Sequence, residues 1–202
     1  MQGLERSRDQ GGESTSAARE RWVFEHTVDG LFRGSLRERL SATALVSLRQ
    51  AGIDLSRPLL PAYSSETWIR ALHIAAEAFS ADLSPEASWR RLGQEVIQGL
   101  VHTRVGSAMV SVAGLLGPLR FLRRLNSTLR STDSYVESRL KEVGPTSCEV
   151  WISEVMEQPA YHRGMLEALV SLAGGRDVRV RVLTCEGPGA WFLVEWEAAE
   201  AR

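Results

Sequence analysis

The chain has little of what usually announces a function. Of its 202 residues only two are cysteines, Cys148 and Cys185. They form no CxxC pair and are too few for a disulfide framework. Each lies in a strand-like run, so each reads as a buried, small apolar side chain. No sign of charge dominates: 24 Lys and Arg against 25 Asp and Glu leave a net charge of −1. That removes any general attraction for nucleic acid or for anionic lipid. Long hydrophobic runs are missing too. The longest, Ala108 to Leu119, is broken by Ser111, Gly114, Gly117 and Pro118, and falls short of the roughly 20 residues a membrane span needs. The first residues are polar, with no apolar segment of a secretory leader, so the expected location is the cytoplasm.

The signatures of common chemistry are absent as well. There is no GxxxxGK[ST] phosphate loop, no GxGxxG after a strand, no HExxH and no GxSxG elbow. The four histidines, His26, His73, His102 and His162, show no helical metal-pair spacing with one another or with a cysteine. They read as surface or interfacial residues. Glu149, Glu154 and Glu157 read as a solvated face rather than a carboxylate pair. No catalytic residue, metal ligand or cofactor is assigned, and the expectation is a binding domain, not an enzyme.

Residues 1–20 are rich in Gly, Ser, Arg and Glu and read as a disordered tail. A single α+β domain is expected over 21–198, with a helical half at 35–130 and a sheet half at 135–197. The run Trp22 to Val28 is β-branched and aromatic and predicts a strand, ending at Asp29-Gly30. Leu36, Leu40, Leu45 and Leu48 predict a helix from Ser35 to Ala51, followed by an extended Pro58/Pro61 connection. Ser64-Ser65 opens the next helix with Trp68, Leu72 and Phe79 inward. Ser84-Pro85-Glu86 opens another, because a capping hydroxyl, a first-turn proline and an acid all suit a helix N-terminus. Val105 to Leu116 predicts a further helix, interrupted at Gly117-Pro118 and resuming over Leu119 to Leu129. From Tyr135 the order becomes strand, strand, helix, strand, strand. These strands predict a four-stranded antiparallel sheet, ββαββ, with one face under a helix.

Six tryptophans are spread over the elements and read mainly as core. Trp151 is expected to face the helices from mid-strand. Leu119 to Lys141 is locally basic, with Arg120, Arg123 and Arg124 on one helical face. With the neighbouring hydroxyls it suits either an anionic group or, preferably, a solvated face with a capped loop. Nucleic acid is not expected, since no aromatics are interleaved there.

The phrases YSSETWIRALHIAAEAF at 63–79 and ASWRRLGQEVIQGL at 87–100, followed by the ββαββ end, carry a resemblance. The chain resembles the superfamily of heme-NO-binding sensors and 4-vinyl-reductase-type small-molecule-binding domains, and within it a paralogous myxobacterial family of unknown function. The resemblance implies the fold and a pocket between helices and sheet. It does not imply the heme. The sensors' Tyr-x-Ser-x-Arg clamp is matched near the hairpin by Trp151-Ile152-Ser153-Glu154-Val155, where only the serine remains. No histidine lies at Leu119 to Asn126, where the axial ligand belongs, and His102 is too far upstream.

The expectation is therefore a sensor or regulatory domain with an apolar pocket between the halves. Met109, Val112, Leu116, Tyr135 and Trp151 would line it, and Arg130 and Ser153 would meet a polar end. The alternative is a protein-interaction or self-association module with a filled core. Partners are then an unidentified small molecule, a protein or a second copy, but neither nucleic acid nor membrane.

Overall fold

The structure is a computed structural model that describes residues 20–79 and 82–198. The expected tail, all but Glu20, lies outside the described residues. Strand β1 (Trp22–Phe24) opens the order, followed by α1 (Glu25–Asp29), a π-helical turn (Gly30–Ser35) and α2 (Ala42–Gln50). Then come β2 (Ala62–Ser64), α3 (Ser65–Glu77), α4 (Pro85–Val101), α5 (Arg104–Leu116), α6 (Pro118–Leu122) and α7 (Leu125–Leu129). The sheet half follows with β3 (Ser138–Gly144), β4 (Ser147–Ile152), α8 (Pro159–Leu172), β5 (Arg176–Glu186) and β6 (Gly189–Glu197).

The α+β reading holds. The four C-terminal strands form one antiparallel sheet in the order β3-β4-β6-β5. Alternation decides its two faces. Cys148, Val150 and Ile152 of β4, with Phe192 and Val194 of β6, are fully buried. Over them lie Leu166, Leu169 and Val170 of α8 and Phe121, Leu122 and Leu125 of α6 and α7. A second cluster fills the helical half around Val28, Leu31, Phe32, Trp68, Leu72 and Leu92. Each fully buried Leu or Phe stabilises the fold by about 1.5–3 kcal/mol.

The caps behave as read. Ser64 accepts from the Thr67 amide at 3.2 Å, and Ser84 from the Ala87 amide at 3.3 Å. Close packing rests on glycine. A Cβ on Gly93 of α4 would lie 1.9 Å from the Tyr161 carbonyl oxygen, and one on Gly164 of α8 would lie 1.8 Å from that of Arg90. The backbones of α4 and α8 therefore touch, which only glycine permits.

Several expectations are corrected. The strand at Trp22 ends at Phe24 and pairs with β2, which lies between the extended connection and α3. From Glu25 the chain is helical, because Val28, Leu31 and Phe32 bury one face at helical spacing. Leu36 to Arg39 form a turn, and the helix begins at Ala42, where the Ser41 hydroxyl caps the Ala44 amide at 3.0 Å. The helix expected over 119–129 breaks at Arg123-Arg124 into α6 and α7. Strand β3 starts at Ser138 rather than Tyr135, because the Asp133 carboxylate takes the amides of Tyr135 and Val136 at 3.1 and 2.7 Å and holds a turn there. Cys148 is buried, but Cys185 is exposed near the end of edge strand β5.

Candidate functional site

The two halves meet along a seam stitched by β1. Phe24 donates its amide to the Thr132 carbonyl at 3.0 Å, and Ser134 donates to the Trp22 carbonyl at 2.9 Å. The Trp22 amide donates to the Ser134 hydroxyl at 2.9 Å, and the Thr27 hydroxyl to the Thr132 carbonyl at 3.2 Å. These bonds tie the start of the chain to the segment that leads into the sheet.

Behind this stitch lies a cavity of about 50 Å³. Its apolar wall combines Val96, Ile97 and Leu100 of α4, Met109 of α5, Leu129 of α7, and Met165 and Leu169 of α8. A polar corner faces them, made by Thr132, Asp133, Tyr135, Glu154, Tyr161 and His162. Each member is positioned by identifiable local structure. Asp133 is set by its turn. Tyr135 lies under the Arg21 guanidinium, 5.6 Å from its ring centre, and Arg21 pairs with Glu154 at 3.0 Å. Glu154 in turn accepts the Met156 amide at 3.1 Å in a turn where Met156 and Glu157 are left-handed, with φ of 53° and 57°.

Burial governs the electrostatics of the corner. His162 is 3% exposed, and its Nδ1 makes no hydrogen bond of acceptable geometry. Burial pulls its pKa down to about 3, although the Gln158 carbonyl one turn back opposes the shift. The ring is therefore neutral at any ordinary pH. Burial pushes Asp133 up to about 6, against the pull of the two amides it accepts. Tyr161 and Tyr135 are raised as well, by burial first and then by neighbouring groups that include Asp133. Among the described residues no lysine or arginine lines the cavity.

Of the expected site residues, the structure brings Met109 and Tyr135 together on this cavity. The others lie elsewhere. Val112 is 43% exposed on a surface groove that Met109 and Thr128 also line, so those two side chains form the wall between groove and cavity. Leu116 packs on the sheet core and borders a separate surface groove beside Arg120. Arg130 is exposed and pairs with Glu137 at 2.7 Å. The Ser153 hydroxyl accepts the Glu137 amide at 2.9 Å and fastens the base of the hairpin. Trp151 is the plainest correction. It points away from the helices, beside its cross-strand partner Trp191, with the Arg139 guanidinium 4.6 Å from its ring centre.

His162 was missed, having been read as a surface or interfacial residue. A signal was present, since His162 stands three, four and seven residues before the inward Met165, Leu166 and Leu169. Of the other histidines, His73 packs edge-on against Trp89 at 4.9 Å, and His102 caps α4 on the surface. His26 has a buried Nε2 without a hydrogen bond.

The sequence profile of a family of proteins of unknown function, DUF2378, matches residues 21–197. The chain belongs to the DUF2378 family. No curated protein matches it. Solved structures do. An oxygen-binding H-NOX domain related to soluble guanylate cyclases, in its oxygen complex, superposes with a TM-score of 0.62 at 14% identity, covering 88% of this chain and 97% of that one. An Fe(II) unliganded H-NOX protein from K. algicida gives 0.62 at 7% identity, over 88% and 97%. One from S. oneidensis gives 0.58 at 12%, over 87% and 96%. This DUF2378 chain therefore has the H-NOX fold, as its resemblance to the heme-NO-binding sensors implied.

The fold family implies a heme, and the cavity does not fit one. At about 50 Å³ it is well below the roughly 300–1,000 Å³ of pockets that hold larger ligands. Its charged lining groups are the acids Asp133 and Glu154, the wrong sign for propionates. A closer match to the clamp spacing than the run at Trp151 is Tyr135-Val136-Glu137-Ser138-Arg139, which keeps tyrosine and arginine. There too the clamp fails, because Glu137 replaces serine and Arg139 lies over Trp151 on the outer face. Among the described residues no group of three or more His, Cys, Asp or Glu is placed to hold a metal.

Proposed function

We propose that this domain is a non-catalytic, heme-free sensor that holds a small neutral molecule in the seam cavity. The observation that carries the reading is the cavity itself, between the two halves, where an apolar wall faces a polar corner of Asp133, Tyr135, Tyr161 and His162. That mix of apolar wall and few polar groups is the usual make-up of a ligand site. The volume of about 50 Å³ limits the ligand to a few non-hydrogen atoms. Its charge is limited as well. An anion meets no cation, and a cation meets carboxylates already engaged, Asp133 by two amides and Glu154 by Arg21. Met109 and Tyr135 would contact the ligand, together with Tyr161 and His162. A seam site suits sensing, because its occupancy bears on how the helical half and the sheet half sit together.

Native mass spectrometry of freshly purified protein, compared with the denatured mass, tests this. The expected result is a reproducible small added mass that is lost in Tyr135→Phe and His162→Leu. A bare mass under conditions that preserve other weak complexes, or an added mass indifferent to both substitutions, overturns the reading.

A further inference from the structure

Helix α5 is the most conspicuous piece of unfinished packing in the molecule. Only Gly106 and Ala113 of its thirteen residues are buried. Val105, Ala108, Val112 and Leu115 recur at helical spacing on its exposed side, and Val105, Val112 and Leu115 are 40%, 43% and 86% exposed. Across from the first three runs α6–α7, and the groove between them holds about 320 Å³. Its far wall is Phe121, Arg124, Ser127, Thr128 and Ser131. The hydroxyls of Thr128 and Ser131 are already given to carbonyls of their own segment, at 3.3 and 2.6 Å. Those two hydroxyls can therefore be covered without being left unpaired.

Charge identifies what would cover it. From Arg104 to Thr132 the chain carries five arginines and no Asp or Glu, in a protein whose net charge is −1. Two are neutralised from outside: Arg123 by Glu142 at 2.7 and 2.9 Å, and Arg130 by Glu137 at 2.7 Å. Arg104, Arg120 and Arg124 have no acidic partner among the described residues. Of these three, Arg124 lines the groove and Arg104 opens α5 beside Val105, while Arg120 lines the separate groove beside Leu116. The groove thus joins an apolar stripe to unspent positive charge at Arg124.

We propose that the groove between α5 and α6–α7 is the docking site for an acidic amphipathic helix of a partner protein. A helix laid in a groove presents apolar side chains at the spacing that Val105, Ala108 and Val112 offer, and an acidic flank meets Arg124. The described residues of a second copy do not supply such a helix. The helices that carry acids, α3, α4 and α8, have their apolar faces in the core. A bilayer is the weaker fit, because the stripe lies on the inner wall of a concavity whose opposite wall carries Ser127, Thr128 and Ser131 beside Phe121 and Arg124. The proposal does not depend on the ligand reading above.

The test uses the whole chain and two labelled synthetic helical peptides of about 18 residues, each with a leucine stripe flanked by glutamates in one and lysines in the other. Fluorescence anisotropy should show the acidic peptide binding at least about tenfold more tightly than the basic one. Val112→Asp should weaken acidic-peptide binding about tenfold, and the pair Arg104→Glu with Arg124→Glu should abolish or invert the charge preference. Thermal melts of these exposed-site variants check that the fold is kept. Equal binding of the two peptides, or indifference to Val112→Asp, overturns the proposal. So does binding of vesicles containing about a third phosphatidylglycerol that these same substitutions abolish, when the acidic peptide does not bind.

Discussion

Helices α4 and α5 are neighbours in sequence, meet at a bend of 99°, and have opposite fates. α4 carries Glu86, Arg90, Arg91, Gln94 and Glu95, yet it is the most enclosed helix of the helical half, with Trp89, Leu92, Val96, Ile97 and Leu100 buried. α5 carries no charge beyond Arg104, yet most of it faces outward. Apolar content therefore does not decide burial here. Close approach does. Gly93 of α4 meets α8, Gly99 of α4 meets Gly30, and the Arg90 carbonyl meets Gly164. Of the two glycines inside α5, Gly106 meets neighbouring backbone, where a Cβ would lie 1.8 Å from the Leu100 carbonyl oxygen, and Gly114 meets nothing within 4 Å. Beyond Gly106, Ala113 is the one residue of α5 that is buried, with Met109 and Leu116 packed beside it on the core. The same bend separates the anchored part of the seam from the part left available.

The largest expected effect sets glycine against glycine across this bend. Gly93→Ala and Gly164→Ala drive a methyl into backbone, where no side chain can yield, and should each destabilise by about 3 kcal/mol or more. Gly114→Ala in α5 meets nothing within 4 Å and should stabilise by about 0.5–1 kcal/mol through helix propensity. Urea melts measure both. Losses of similar size at Gly93 and Gly114 would erase the distinction between the two helices.

Next in size is an acid response hidden by compensation. Folding lowers the His162 pKa to about 3, so the unfolded chain takes up a proton that the folded one refuses. Its contribution is whole above pH 6.5 and is lost as pH falls toward 3. Folding raises Asp133 to about 6, so the folded state protonates first; that contribution is whole below pH 3.8 and is lost as pH rises through 6. Between about pH 4 and 6 the two slopes oppose each other. Asp133→Asn keeps an acceptor for the two amides and removes one slope. The loss of stability between pH 6 and 4 should therefore exceed that of the unsubstituted protein by up to about 3 kcal/mol. His162→Leu should shift the balance the other way, towards relative stabilisation by acid. Parallel pH profiles for all three proteins would show that the corner does not titrate with folding.

Local rules made the anchored region legible and failed at the seam. Ser64 and Ser84-Pro85 announced their helices because a cap is a short-range device. The ββαββ order was legible from alternation and turns. The helical turn through Gly30 was not, because it depends on Gly99, far along the chain. The break at Arg123-Arg124 escaped for a similar reason, since Phe121, Leu122, Leu125 and Leu129 reach the core from two short helices as well as from one. Met109 and Tyr135 do line the seam cavity, and so does His162, whose place on an apolar stripe points inward rather than to the surface. Trp151 shows a misread period. Cys148, Val150 and Ile152 claim the inner face of β4, so the residues between them, Glu149 and Trp151, must point outward.

That reading gives the smallest expected effect. Trp151→Ala removes a large, half-buried ring on the outer face, where it stacks with Arg139 and borders Trp191. It should cost about 1–2 kcal/mol of stability through lost packing, visible as an earlier urea midpoint. It should leave untouched any small added mass in native spectra, because the inner face of β4 lies between the ring and the cavity. Tyr135→Phe makes the opposite pair of changes, with little effect on the midpoint and loss of the added mass. Loss of the ligand in Trp151→Ala at a temperature where the variant is fully folded would return the site to the outer face of the sheet. The seam would then hold the two halves together without sensing anything.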